Sequence, residues 1–220
     1  MKEKIDRFVE SGLEDGCSSP MDPPQAFHLA GIERLDRSSL HEALSILMDD
    51  HNVFLSVLDD FEKALIKFKD TSWNIDSETS KSMKAFFRYM DEEVSVHNAR
   101  EEKALFPILH KKLVAYGECS PGEYPKTAVD IMEDDHLKVA QASCLIFNLL
   151  GIGSRLKDAE SRHTIFQIAY DQGREIVETM RLHIFKENEV LFQLAQKWIT
   201  ADEFQFISSR MGQLAPSHKH

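Results

Sequence analysis

Six side chains have the types and spacing to hold metal ions: His51, His97, Glu101, His136, His183 and Glu187. Two of the histidines stand in HxxxE pairs, His97 with Glu101 and His183 with Glu187. On a helix, residues four apart point the same way from adjacent turns. The imidazole of such a pair binds one ion while the carboxylate, a turn along, reaches a second. Imidazole with carboxylate suits iron, and also zinc or manganese. Four histidines and two bridging carboxylates would give each of two ions two nitrogens and two oxygens. One oxo or hydroxo bridge from solvent would raise each to five-coordinate. A position then stays open for a small ligand.

The pattern occurs twice. His97-Asn-Ala-Arg-Glu101 is followed by Leu105-Phe106, and His183-Ile-Phe-Lys-Glu187 by Leu191-Phe192. Met48-Asp49-Asp50-His51 resembles Glu133-Asp134-Asp135-His136. His51 and His97 are 46 residues apart, and His136 and His183 are one more. A single histidine on an apolar face is usually a core residue with an ordinary hydrogen bond. One in each of four apolar faces is a different observation, because buried polar groups are costly unless paired or bound to metal.

The elements that must position these groups are helices. Pro and Gly cluster at residues 12–24, 117–125 and 151–153, and residues 71–77 are a polar break. Four segments lie between, at about 38–70, 80–116, 126–150 and 159–198. Each carries apolar residues at spacings of three and four: Leu44, Leu47, Phe54, Leu58, Phe61 and Leu65 in the first, Ile165, Ala169, Ile176, Met180, Val190 and Leu194 in the last. No segment alternates like a strand. Long helices with short connections pack as antiparallel neighbours, so the expected fold is an all-α, up-down-up-down four-helix bundle. His51 and His97 each lie about 18 residues from their shared turn, roughly 27 Å at 1.5 Å per residue, so they meet at one level. The second hairpin fits less evenly and calls for an overhang or a kink near Gly173. Residues 1–37 read as an N-terminal extension with a short amphipathic helix through Ile5, Phe8 and Val9. Residues 199–220 read as a short helix opened by the capping box Thr200-Ala-Asp-Glu203, then a polar tail.

With the doubled HxxxE and its trailing Leu-Phe in place, the chain resembles the hemerythrin-like HHE cation-binding family across residues 38–198. The resemblance implies a four-helix bundle with two non-haem iron ions. His51, His97, His136 and His183 would be terminal ligands, and Glu101 and Glu187 bridging carboxylates. It implies a protein that binds or senses O2, NO or peroxide, or handles iron. Met132 stands where oxygen-carrying members have a fifth histidine, one turn before His136, which argues against a reversible carrier. Members that repair iron–sulfur clusters are also similar, but they carry adjacent cysteines near the N-terminus, and here there is only Cys17. Cluster repair is the alternative function, and a structural helical interaction protein the second alternative. The motif assigns no catalytic residue. Glu93 and Glu133, a turn before ligands, are further ligand candidates that more often face solvent. Asp50 and Asp135 precede a ligand and point about 100° away from it, so they would reach a histidine of the next helix or lie at the surface.

Composition bounds the rest. The 220 residues suit one domain, and the net charge of −11 argues against nucleic acid and anionic membrane as partners. Cys17, Cys119 and Cys144 form no CxxC, which fits a reducing compartment. Cys144 is expected to be a small core residue. The charged start lacks a signal peptide's apolar region, and no run approaches 18 uninterrupted apolar residues. The expectation is a cytoplasmic protein outside membranes, of unspecified oligomeric state. His28, His41, His110 and His163 are expected at the surface, and His218 and His220 in the tail.

Overall fold

The computed structural model describes residues 37–214. The expected N-terminal helix, Cys17, His28 and the two C-terminal histidines lie outside them. Every regular element among the described residues is helical, with no strand. A short 3₁₀ turn, Arg37–Ser39, precedes α1, Glu42–Asp70. The next helical stretch is composite: α2 (Ser77–Tyr89), a π-turn (Met90–Val94), α3 (Ser95–Arg100), a second π-turn (Glu101–Leu105) and α4 (Phe106–Ala115). Then come α5, Ala128–Arg155, and α6, Ala159–Lys186. A third π-turn (Glu187–Leu191) leads to α7 (Phe192–Trp198), and α8 spans Ala201–Gln213.

The caps explain the starts. Asp76 accepts from the Thr79 amide at the head of α2, satisfying a donor the helix itself leaves over. Thr200 and Glu203 cap one another's backbone at α8, as the sequence motif predicts. Two glycines depart from the expected punctuation. α5 runs through Gly151 and Gly153 to Arg155 instead of ending near Leu150. A Cβ on Gly153 would come within 2.4 Å of the Phe166 ring, so this glycine serves close packing. α6 shows no break at Gly173. A Cβ there would meet Leu65 at 2.6 Å, so this glycine also lets an element approach.

The described residues divide into two compact units. The first comprises residues 37–49, 98–134 and 182–214. Its core is built from Leu44, Leu47, Leu105, Phe106, Leu109, Leu191, Phe192 and Phe204 with their neighbours. The second comprises residues 50–97 and 135–181. There the Phe61 and Phe86 rings stack at 3.8 Å, and Arg181 bonds Asp59 and Glu62, each at 2.6 Å. Each fully buried Phe or Leu contributes about 1.5–3 kcal/mol relative to exposure.

α5 passes, by length and composition, as a helix able to cross a membrane. A count of uninterrupted apolar residues misses this because Gln141, Ser143 and Asn148 break the run. A core helix of a globular protein passes the same test.

Candidate metal centre

The positions around each HxxxE are set by a local feature that periodicity does not show. A π-turn begins at each glutamate of the pair, Glu101–Leu105 and Glu187–Leu191. The Phe106 amide returns to the Glu101 carbonyl, and the Phe192 amide to that of Glu187. An α-helix turns about 100° per residue, so five residues would leave Phe106 well off the glutamate's face. The widened turn brings it back, and Glu101, Leu105 and Phe106 are all fully buried, as are Glu187, Leu191 and Phe192. Pro107, lacking an N–H, suits the first such turn. In the second, the Gln193 side chain donates to the Asn188 carbonyl at 3.2 Å. π-turns of this kind are frequent at functional sites. The doubled Leu-Phe, two adjacent large apolar residues both needing burial, is the signal that could have revealed them.

Five of the six predicted ligands are buried, and the His97 side chain is 11% exposed. The Nε2 atoms of His51 and His97 lie 3.0 Å apart. Two imidazole lone pairs that close need a cation or a proton between them. Two nitrogens at about 2.1 Å from one ion, at nearly a right angle, would have the same separation. His183 Nε2 lies 3.2 Å from Glu187 Oε2, again a spacing that one ion can bridge. One ligand atom each from His51, His97, Glu101 and Glu187 lies within 4.8 Å of the others, and the same holds for His136, His183 and Glu187. The donors are imidazole nitrogen and carboxylate oxygen, in a buried setting where a bare carboxylate would be costly. The residues therefore fit divalent or trivalent metal ions. Glu187 belongs to both groups, whereas Glu101 belongs to one.

Asp50 does not touch His51, its neighbour in sequence. Its Oδ2 lies 3.2 Å from His97 Nδ1, on the next helical stretch. That bond holds the proton on Nδ1 and leaves Nε2 to face an ion. Tyr89 was not foreseen. Its hydroxyl donates to the Asp50 carbonyl at 3.4 Å, and its ring packs 5.4 Å from that of Phe54. Burial first, then Asp50 and Glu93, push its pKa up to about 12, so it stays protonated at neutral pH. Asp135 pairs with Lys138 at 3.3 Å.

Other candidates fall elsewhere. Glu93 and Glu133 are exposed and join neither group. Met132 is a fully buried core residue. Cys144 is exposed, contrary to expectation. It lies eight residues beyond His136, which on a helix of 3.6 residues per turn drifts off the inward stripe, and Ser143 takes the buried position. His41 is half-buried against Phe204, with ring centres 4.3 Å apart, and its amide donates to Gln196. His110 is half-buried beside Thr127 at 2.9 Å. His163 accepts from the Trp73 indole at 2.7 Å in an exposed contact.

No curated protein and no solved structure matches the chain at a significant level. The hemerythrin HHE cation binding domain matches residues 42–195, most of the chain and all six candidate ligands. A helical chain with a buried, duplicated His/Glu cluster, matched by this domain over that length, belongs to the hemerythrin HHE cation-binding family.

Proposed function

We propose that the chain is a non-haem di-iron protein of hemerythrin type, on an up-down-up-down bundle, that binds or senses a small ligand such as O2, NO or peroxide. The observation that carries this reading is the sharing of Glu187 between two three- and four-residue donor groups, as a bridging carboxylate would be shared. In this reading Glu101 would serve the group of His51 and His97, and Glu187 would serve both groups. Bound iron would supply redox change and Lewis acidity toward the small ligand. The chain's part is to hold and shield. His51, His97, His136 and His183 would supply nitrogen ligands, Asp50 keeps the His97 ring in one tautomer, and the buried Phe106 and Phe192 keep water out. The acidic composition and scattered cysteines fit a cytoplasmic setting.

The test is an optical titration of the iron-loaded protein with O2, NO and peroxide, alongside a His51→Ala/His183→Ala double variant. The expected result is a ligand-dependent spectral change in the parent that vanishes in the variant together with its iron. A variant that keeps its metal content and colour would mean these histidines are structural.

A further inference from the structure

α5 presents an outer face with little charge for so acidic a chain. From Leu137 to Ser154 its one charged residue is Lys138, which is paired with Asp135. Leu137 is 59% exposed, Leu145 44%, Phe147 62% and Ile152 41%. Less than a third of its most apolar stretch is buried. The inward stripe is narrow, running Met132, His136, Val139, Ser143 and Ile146. A second stripe with the same alternating spacing of three and four runs along the outside: Asp134, Leu137, Gln141, Cys144, Asn148, Gly151 and Arg155. All are exposed except Gly151, which is intermediate. Positions at three-four spacing share one face of a helix, the face that a second helix would meet.

The outer face along this stripe, taken with its flanking residues Lys138, Leu145 and Ile152, reads alike from both ends. About a centre between Cys144 and Leu145, Asp134 is opposite Arg155, Leu137 opposite Ile152, Gln141 opposite Asn148, and Lys138 opposite Gly151. In an antiparallel pair of such helices, Asp134 meets Arg155, Leu137 meets Ile152, Gln141 meets Asn148, and Leu145 meets Cys144 at the centre. The long Lys138 side chain faces the residue that has none. A surface complementary to itself under a two-fold rotation is what an isologous dimer requires. We infer that α5 is a homodimerisation helix, packing antiparallel against α5 of a second copy with Asp134 paired to the partner's Arg155.

The stripe is about 32 Å long at 1.5 Å per residue. A groove of about 330 Å³ along the same edge, lined by Val139, Ala142, Leu145 and Ile176, gives room for the partner's side chains. One helix face places the contact at the small end of specific interfaces, the class of weak, reversible association. The net charge of −11 opposes self-association, and from Leu137 to Ser154 this helix carries no acidic residue to add to that repulsion.

Sedimentation of the full chain over micromolar concentrations tests the inference. The expected result is a monomer–dimer equilibrium, weakened at least tenfold by Leu145→Glu or Ile152→Glu, with helicity and metal content unchanged. Arg155→Asp alone, which sets acid against acid, also weakens it. Arg155→Asp with Asp134→Arg restores it. A short bis-maleimide cross-linker joins two chains through Cys144, and Cys144→Ser abolishes that product. A chain that is monomeric at every concentration overturns the inference, and so does one that stays monomeric but floats with phosphatidylcholine vesicles. A dimer indifferent to Leu145→Glu, or not restored by the charge swap, overturns it as well.

Discussion

At the scale of single residues, the six candidate ligands are not equivalent. Glu187 stands in both donor groups, His136 in one. Glu187→Ala is therefore expected to abolish binding of both ions, while His136→Ala leaves a chain that keeps one. Elemental analysis of the two purified variants separates these outcomes, and equal losses would contradict the shared role. Asp50 acts through His97. Removing such a partner typically costs 10–100-fold in metal affinity, so Asp50→Ala is expected to lose that much in a chelator competition, with Asp50→Asn intermediate. The grouping of the six candidates was legible in the sequence because a His or Glu interrupts an apolar stripe and does so in register in both halves. The partner of Asp50 was legible only as a choice between the next helix and solvent. Deciding it required the side chain's direction, which spacing does not give. Cys144 was misplaced for the converse reason: its neighbour Ser143 is the smaller polar residue and takes the inward position.

At the scale of elements, helix boundaries follow packing as much as punctuation. Gly153 stands where punctuation predicts a break, yet it lies within α5, and Phe166 occupies the space a Cβ would take. Gly153→Ala gains helix propensity of about 1 kcal/mol but overpacks against a stiff ring at a cost of about 1–3 kcal/mol. Net destabilisation in a denaturant titration is expected, and an unchanged or raised midpoint would contradict the close packing. Caps impose a pH dependence. Bonds from Lys67, then the Thr79 amide, hold Asp76 well below its usual 3.8. Lys112, then the Thr200 amide, lower Glu203 below 4.5. A carboxylate depressed in the folded state stabilises it above the unfolded pKa, and that stability is lost as pH falls through the folded pKa. The heads of α2 and α8 are therefore expected to loosen below about pH 4, and Asp76→Asn to flatten the acid limb of the stability profile. The π-turns were illegible because periodicity assumes one pitch throughout, and only the doubled Leu-Phe hints at a change of phase.

At the scale of the whole molecule, the chain is a helical protein whose duplicated halves converge on one chemistry. Burying two glutamates and three histidines is costly even when they contact one another, so metal is expected to be part of the stability. An ion that binds only the folded state stabilises it by about 2.7 kcal/mol at a hundred times its dissociation constant. The apo protein is accordingly expected to melt several degrees lower, and adding iron back to restore the transition. The fold class was legible from four long periodic segments and their breaks. Self-association was not, because the outer stripe of α5 shows its symmetry only once the inner stripe is known. The most direct measurement is elemental analysis with an optical spectrum, on untagged full-length protein from iron-replete cells. About two irons per chain with near-ultraviolet absorption from oxygen-bridged iron is the expected result for four His and two Glu donors. A protein without iron, or one holding zinc and colourless, would contradict the di-iron assignment.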